Sequence, residues 1–157
     1  MPLTKRSTDC PATIFQSLNF ATIALPCFNL YHSYFYTAEG VKKVPLNIWA
    51  LLTPVGLAFW LSDDGTKKGP GLTLCTYGFS TEDVQLLVET LQGKFGLICT
   101  INQTKQGPRI YVTKDSMPKL RELVREHMHP SMVYKLGSNR HYSVKLPPIL
   151  RHPPLYS

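Results

Sequence analysis

The chain is short of cysteine, and the cysteines it has are not arranged to bind a metal. Four cysteines occur among 157 residues without a Cys-x-x-Cys pair, and the five histidines form no His-x-x-x-His pair. Structural zinc sites and disulfide scaffolds need closely spaced residues of these types. The sequence therefore argues against a zinc hydrolase or a redox enzyme, and it predicts reduced thiols in an intracellular compartment.

Acidic residues are also few. Ten Asp and Glu stand against seventeen Lys and Arg, which gives a formal net charge of +7. Such an excess favours a phosphate backbone as partner, with an affinity that falls as salt rises. Many basic proteins bind no nucleic acid, so the charge is compatible with this partner without establishing it. Predicted loops and strand ends carry much of the excess: Lys42–Lys43, Lys67–Lys68, Lys105, Arg109 and Lys114.

Long apolar runs and a clean signal peptide are both missing. The longest apolar stretch, Ile48–Leu61, is too short to span a bilayer and contains Thr53 and Pro54. We therefore expect no membrane partner. The basic N-terminal residues are followed at once by Asp9, Cys10 and Pro11, which is not a signal-peptide pattern. The length suffices for one domain with a real core.

An almost wholly apolar helix is predicted from Leu51 to Leu61. Thr53 is placed to cap its N-terminus, and Pro54 suits the first helical position because its missing N–H costs nothing there. A helix without a polar face is expected to be buried on all sides. Gly56 would let another helix approach its backbone closely.

The end of this helix breaks a local rule. Asp63, Asp64 and Gly65 follow the apolar run, and acids at a helix C-terminus are disfavoured by roughly 0.3–1 kcal/mol each when exposed. Sequences that fold well break such rules mainly where function requires it. A divalent cation held by the carboxylates would remove the conflict. The alternative is a core helix followed by an ordinary Asp-Asp-Gly turn.

The remaining patterns predict a mixed α+β chain. A strand is predicted for Asn19–Ala24, a helix for Pro26–Tyr36 and an alternating strand for Gly71–Gly78. Ser80 begins a helix with its apolar stripe at Val84, Leu87, Val88 and Leu91, which Gly93 and Gly96 break. Two strands, Ile98–Gln103 and Arg109–Thr113, flank a turn at Gly107–Pro108. A further helix is predicted to begin at a cap formed by Asp115 or Ser116 and to bury Met117, Leu120, Val124 and Met128. A last short helix is predicted for Pro130–Leu136. The tail from Ser138 is predicted to be irregular.

Four segments in order resemble one protein family. The nonamer Leu57–Gly65 resembles the LAGLIDADG signature of homing endonucleases, with matches at Leu57, Ala58, Asp64 and Gly65. The surrounding sequence resembles the organellar, intron-encoded branch, over about Leu25 to Gly137. The segments are Leu52–Gly65, Phe79–Val84 with Leu91 and Lys94–Phe95, Arg109–Tyr111, and Met132–Leu136.

The resemblance implies a fold and a division of the chain. It implies an αββαββα half-saddle whose concave sheet face lies along the major groove of DNA, with the signature helix at a repeat or dimer interface. We expect residues 1-50 to be the remnant of a first repeat, 51-137 a LAGLIDADG repeat, and 138-157 a Pro-rich basic tail. The family uses two acidic signatures, whereas this sequence has one. Three explanations therefore stay open: a truncated reading frame, a fragment of a split gene, and a working homodimer.

The resemblance also implies site residues. Asp64 would bind Mg²⁺ or Mn²⁺, and Asp63 would contribute a weaker ligand, with its backbone carbonyl as the alternative donor. Lys42 and Lys135 would be basic catalytic residues, or else solvated surface ammonium groups. The predicted DNA-binding residues are Lys67, Lys68, Thr73, Cys75, Tyr77, Asn102, Arg109, Tyr111 and Thr113. Asn102 and Gln103 point to opposite sides, so one of them faces DNA; Arg109 reads guanine or contacts a phosphate.

Three functions follow from the resemblance. The first is a site-specific, metal-dependent endonuclease of double-stranded DNA that serves intron homing. The second is an RNA-binding maturase of its intron, and the third a DNA-binding remnant that is catalytically incomplete. The implied location is the mitochondrion, with the chloroplast as alternative. A protein encoded inside an organelle needs no import signal.

Overall fold

The computed structural model describes residues 23–137. Most of the strand predicted at Asn19–Ala24 and the whole predicted tail lie outside this range; the described residues Ile23 and Ala24 are not in a strand. Among residues 23–137, none of the helices is long and apolar enough to cross a membrane.

Five α-helices and four strands make up the described chain. The helices are α1 (Asn29–Phe35), α2 (Ile48–Leu51), α3 (Pro54–Asp64), α4 (Thr81–Phe95) and α5 (Met117–Val124). The strands are β1 (Gly65–Lys68), β2 (Gly71–Cys75), β3 (Cys99–Thr104) and β4 (Gly107–Val112). Short 3-10 helices span Pro26–Phe28, Lys114–Ser116, Arg125–His127 and Pro130–Leu136.

The strands form one antiparallel sheet in the order β1-β2-β4-β3. Two hairpins, β1–β2 and β3–β4, are joined where β2 pairs with β4. From α3 onward the chain therefore runs helix, hairpin, helix, hairpin, helix. The predicted α+β class and αββαββα order are confirmed.

The core lies between one face of the sheet and the helices. Alternate side chains of the two central strands are almost completely buried: Leu72 and Leu74 in β2, Ile110 and Val112 in β4. They pack in one cluster with buried residues of the helices, among them Leu57, Leu61, Val84, Leu91 and Leu120. Within residues 23–137, the helices of this core lie on one face of the sheet, and we call the opposite face the open face.

Local capping signals set the helix starts. The Thr53 hydroxyl accepts from the backbone N–H of Gly56 at 3.1 Å, and Ser80 accepts from that of Asp83 at 3.1 Å. Both predicted N-caps are confirmed. Ser116 precedes α5, but its hydroxyl accepts from the Ile98 N–H at 2.7 Å instead of capping the helix.

Several predicted boundaries were wrong. Gly93 does not break α4, which continues to Phe95 and ends at Gly96 in the left-handed conformation. The strand predicted to Gly78 ends at Cys75, and Gly107 and Pro108 belong to β4, not to the turn. Helix α5 ends at Val124, so Met128 is buried as predicted but lies beyond the end of the helix.

The apolar helix α3 is not buried on all sides. Leu57, Ala58 and Leu61 are fully buried, but Val55 is 44% and Phe59 is 70% exposed. Leu51 lies in the separate helix α2. One stripe of α3 packs on the core, and the other has no cover within residues 23–137, so burial of α3 on all sides stays a prediction that needs a further surface.

Candidate functional site

The acidic end of α3 runs directly into the first strand. Asp64 is the last residue of α3, and Gly65 begins β1. The Gly65 N–H donates to the Leu61 carbonyl, and a Cβ atom at position 65 would collide with that same oxygen. A glycine is needed because the strand leaves the helix without an intervening loop. This junction holds Asp64 at the boundary between the helix layer and the sheet.

Lys135 reaches the carbonyl groups at the end of α3. Its Nζ atom donates to the Ser62 carbonyl at 2.6 Å and to the Asp63 carbonyl at 3.3 Å. The C-terminus of a helix carries partial negative charge and unpaired carbonyls, so an ammonium group there is favourable. The Asp63 carbonyl, considered above as a metal ligand, is thus already engaged by Lys135.

Lys42 is a second basic neighbour of Asp64. It lies in the turn after α1, where it pairs with Tyr36, and its Nζ is 5.9 Å from the centre of the Phe79 ring. Lys42 and Asp64 both line a largely apolar groove of about 650 Å³. Most of the remaining walls come from the 3-10 helix Pro26–Phe28 and from α1, α2 and α3, and they include Phe28, Tyr31, Phe35, Ile48 and Trp60.

The electrostatics of Asp64 reflect these neighbours. Partial burial, and next the negative charge of Asp63, raise the pKa of the Asp64 carboxyl, while Lys42 and Lys135 act to lower it. The three residues predicted as catalytic are therefore brought together, although they are far apart in the sequence. Burial and Asp64 also raise the pKa of the Cys75 thiol.

The donors at this end suit a hard cation only in part. Two adjacent carboxylates, Asp63 and Asp64, are exposed, and their repulsion contributes to the raised pKa of Asp64. Mg²⁺ commonly takes one or two carboxylates, with water and substrate phosphates completing its shell. Within residues 23–137 no group of three or more His, Cys, Asp or Glu converges on one point. The set fits a cation shared with a phosphate, and not a closed protein cage.

The strand register decides which side chains occupy the open face. Residues directly opposite in antiparallel strands project from the same face, and alternate residues project from opposite faces. Thr73 and Cys75 alternate with the buried leucines of β2, so they belong to the open face. Their partners in β4 are Tyr111 and Arg109, whose partners in β3 are Thr100 and Asn102; in β1, Thr66 and Lys68 share this face.

Three of the predicted DNA-binding residues are buried or make contacts within the fold itself. Lys67 pairs with the buried Leu72 and lies beside Gly137, which places it on the helix side of the sheet. Thr73 is only 6% exposed, and its hydroxyl is buried without a hydrogen-bond partner. Thr113 follows β4, and its hydroxyl lies 3.5 Å from that of Ser116.

The inner end of the open face, next to Asp64, carries a polar cluster. Gly65 pairs with Leu74, so Cys75 and its partner Arg109 lie close to the end of α3. The Arg109 guanidinium lies over the Tyr77 ring at 4.8 Å, and both residues donate to the side-chain oxygen of Gln106. Gln106 was not predicted, because nothing in the sequence indicates a contact between the β3–β4 turn and the end of β2.

Residues 2–120 match the model of the LAGLIDADG DNA endonuclease family. The chain belongs to this family. Over 146 residues it is 38% identical to the cytochrome b mRNA maturase bI2 of Saccharomyces cerevisiae, with 88% of this chain and 34% of the yeast protein covered. Over 125 residues it is 37% identical to the intron-encoded endonuclease ai4 of Dictyostelium discoideum, with 78% of this chain and 79% of that protein covered.

A solved LAGLIDADG structure shares the fold. The homing endonuclease I-WcaI, bound to its DNA recognition sequence, matches with a TM-score of 0.65 and 32% identity. The match covers 69% of this chain and 51% of that one. The chain thus spans about a third of the yeast maturase and about half of the homing endonuclease, whereas it spans most of the Dictyostelium protein.

Proposed function

We propose that this LAGLIDADG chain is a metal-dependent, site-specific endonuclease of double-stranded DNA, of the type that serves intron homing. The observation that carries the proposal is the position of Asp64. It ends the signature helix at the inner edge of an open antiparallel sheet face, with Lys42 and Lys135 beside it. An acid, two ammonium groups and the open face of the sheet meet at one place.

The open face is the proposed DNA-binding surface. Its residues are polar or aromatic, and they include the donors of Arg109, Asn102 and Lys68. The net charge of +7 supports attraction to phosphates. Of the residues predicted from the sequence, Cys75, Tyr77 and Tyr111 remain candidates for this surface. The described fold also resembles a homing endonuclease that binds DNA.

Asp64, with Asp63 as a weaker partner, would hold Mg²⁺ or Mn²⁺. Such a cation, when bound, polarises a phosphate and lowers the pKa of a bound water. Lys42 is free to stabilise negative charge that builds on the phosphate, because its Nζ donates no hydrogen bond within residues 23–137. Lys135 would act mainly by fixing the end of α3, since its ammonium group binds two carbonyls there.

A second copy of the chain would complete the enzyme. Cleavage of two strands needs two acidic motifs, and this sequence has one. The exposed stripe of α3, which includes Val55 and Phe59 and which we call the open stripe, is the proposed contact between copies. We propose that the chain is divided into a remnant of a first repeat over residues 1-50, a LAGLIDADG repeat over 51-137 and a tail over 138-157.

An RNA maturase is the second candidate. It is supported by the yeast relative, which is named an mRNA maturase. The carboxylate of Asp64 favours the nuclease, because RNA binding needs no metal ligand. A DNA-binding remnant without double-strand cleavage is the third candidate. All three suit an organellar intron-encoded protein, and we propose the mitochondrion as its location, with the chloroplast as alternative.

Cleavage of the source's organellar DNA tests the proposal. The full chain and its Asp64→Asn variant would be incubated with this DNA in Mg²⁺ or Ca²⁺, and the ends mapped by sequencing. Loss of a residue that hydrogen-bonds to a metal ligand costs about 10–100-fold in affinity or activity, so loss of the ligand itself should cost at least about 100-fold. Asp115→Asn, an exposed acid elsewhere, is the matched control.

Each outcome points to one candidate. Discrete double-strand ends that require Mg²⁺ and Asp64 support the endonuclease and a working dimer. Single-strand nicks support the incomplete remnant. Cleavage that Asp64→Asn leaves intact contradicts the proposed role of Asp64. Absence of cleavage together with binding to intron RNA supports the maturase.

A further inference from the structure

We infer that Gln106 is a positioning residue that presents Arg109 to a guanine in the base pairs nearest the cleavage point. The inference rests on the proposed DNA-binding function. It concerns the cluster formed by Tyr77, Gln106 and Arg109, which we call the inner cluster.

Arg109 is held from two directions. Its guanidinium lies over the Tyr77 ring at 4.8 Å, and its Nη2 donates to Gln106 Oε1 at 3.2 Å. The Tyr77 hydroxyl donates to the same oxygen at 2.7 Å. Two donors on one oxygen fix the orientation of the Gln106 amide, because the opposite orientation would set its NH₂ group against them.

The cluster leaves donors of Arg109 unused. A guanidinium has five N–H donors, and within residues 23–137 Gln106 Oε1 is the one acceptor that Arg109 meets. Its Nε is buried and has no hydrogen-bond partner there. The Nε donor is therefore closed to DNA, and the unused N–H groups on the Nη atoms are the donors suited to an acceptor of the DNA. Guanine offers O6 and N7, which a planar guanidinium meets with two parallel bonds.

The register sets the position that Arg109 would read. Arg109 pairs with Cys75, which follows Leu74, and Leu74 pairs with Gly65 directly after the acidic end of α3. Tyr111 and Lys68 lie further along the sheet, away from Asp64. Arg109 therefore belongs to the inner part of the half-site, and Lys68 to the outer part.

A preformed arginine should select by sequence more than a mobile one. An arginine that moves freely loses side-chain entropy when it docks, at roughly 0.5–1.5 kcal/mol per side chain, which corresponds to about 2- to 13-fold in affinity. Gln106 removes much of this cost in advance. A mobile arginine would instead exchange more readily between base and phosphate contacts, which lowers discrimination without lowering charge.

The test is a selection from double-stranded DNA with a randomised centre, without Mg²⁺ so that cleavage is prevented. Wild type, Arg109→Ala, Gln106→Ala and Gln106→Glu would be compared by sequencing the bound pool and measuring the salt dependence of binding. Gln103→Ala is the matched control, because Gln103 is an exposed glutamine in the same hairpin that pairs with Pro108 and not with Arg109.

We expect wild type to prefer guanine at one inner position. Arg109→Ala should lower that preference by about 5- to 150-fold. Gln106→Ala should lower it by about 2- to 13-fold at the same position and leave the salt slope unchanged. Gln106→Glu keeps an acceptor oxygen for both donors and should keep the preference, as should Gln103→Ala.

Two results would overturn the inference while leaving DNA binding intact. In one, Gln106→Ala keeps the guanine preference; in the other, Arg109→Ala weakens all sequences equally and lowers the salt slope, as loss of a phosphate contact does. If wild type binds no double-stranded DNA at all, the proposed function fails and the inference with it.

Discussion

The two sides of α3 have the same kind of sequence and opposite surroundings. On one side Leu57, Ala58 and Leu61 have no exposed surface; on the other, Val55 is partly exposed and Phe59 is largely exposed. Both stripes are apolar, so hydrophobicity alone does not distinguish them. The difference is that residues 23–137 provide a sheet and helices for one stripe and nothing for the other.

This contrast explains why the helix is apolar all round. A stripe that faces solvent permanently is normally polar, because exposed aromatic side chains bring no folding energy and favour association. One stripe of α3 therefore stabilises the repeat, and the other is suited to pack against a second apolar surface. The acidic end lies where the two stripes and the sheet meet, so a partner packed on the open stripe would bring a second acid close to Asp64.

Truncation of one side chain in each stripe should give the largest difference between the two sides of α3. Leu61→Ala should lower the free energy of unfolding by about 2–5 kcal/mol, because it leaves a cavity in a fully buried site. Phe59→Ala should change it by no more than about 0.5 kcal/mol when the protein is dilute, as exposed substitutions do. Urea unfolding at low protein concentration measures both. Equal losses would show that the Phe59 stripe is covered within the chain itself.

A charge on the open stripe sharpens the same contrast. Phe59→Asp should weaken self-association by at least about 30-fold, since central aromatic residues of interfaces commonly contribute 2 kcal/mol or more. Sedimentation velocity over a range of concentrations reports the dissociation constant. Ile98→Asp is the control, because Ile98 is 57% exposed and lies before β3, away from α3. The dimer contact is excluded if wild type and both variants sediment alike as monomers.

Much of the helical structure could be predicted because its signals are local. Thr53 and Ser80 cap helices through residues only three positions away, and the apolar spacing from Val84 to Leu91 falls on one helix face. Gly93 misled the prediction because its effect depends on Trp49, whose ring packs where a Cβ atom would be. That contact comes from another helix and leaves no local pattern.

The sheet was harder to predict for a related reason. Strand β1 has the sequence Gly-Thr-Lys-Lys, in which no alternation of apolar residues indicates a strand. Without the register, the sequence could not separate Lys67 from Lys68, since one residue of register exchanges the two faces. At the site, Asp64 could be found because it breaks a rule of helix ends. Its lysine neighbours needed the family resemblance, because they approach it from distant segments.

The end of α3 offers the smallest and most direct comparison. Asp63 continues the open stripe four residues after Phe59, whereas Asp64 lines the groove beside Lys42. Since burial and Asp63 raise the pKa of Asp64, its ionised form is disfavoured in the folded state. Stability from this group is therefore fully present below the ordinary pKa of 3.8 and is lost as pH rises through the raised value.

Asp64→Asn, which cannot ionise, should consequently unfold at a slightly higher temperature than wild type at pH 7. The gain should be on the order of 1–2 °C, because solvent screens this exposed group, and it should vanish below pH 3.8. Thermal unfolding from pH 3 to 8 measures it. Asp63→Asn removes one cause of the raised pKa and should recover part of the gain. A lower melting temperature for Asp64→Asn at pH 7 would mean that attraction to the lysines outweighs burial, and that Asp64 stabilises this end of α3 without a metal.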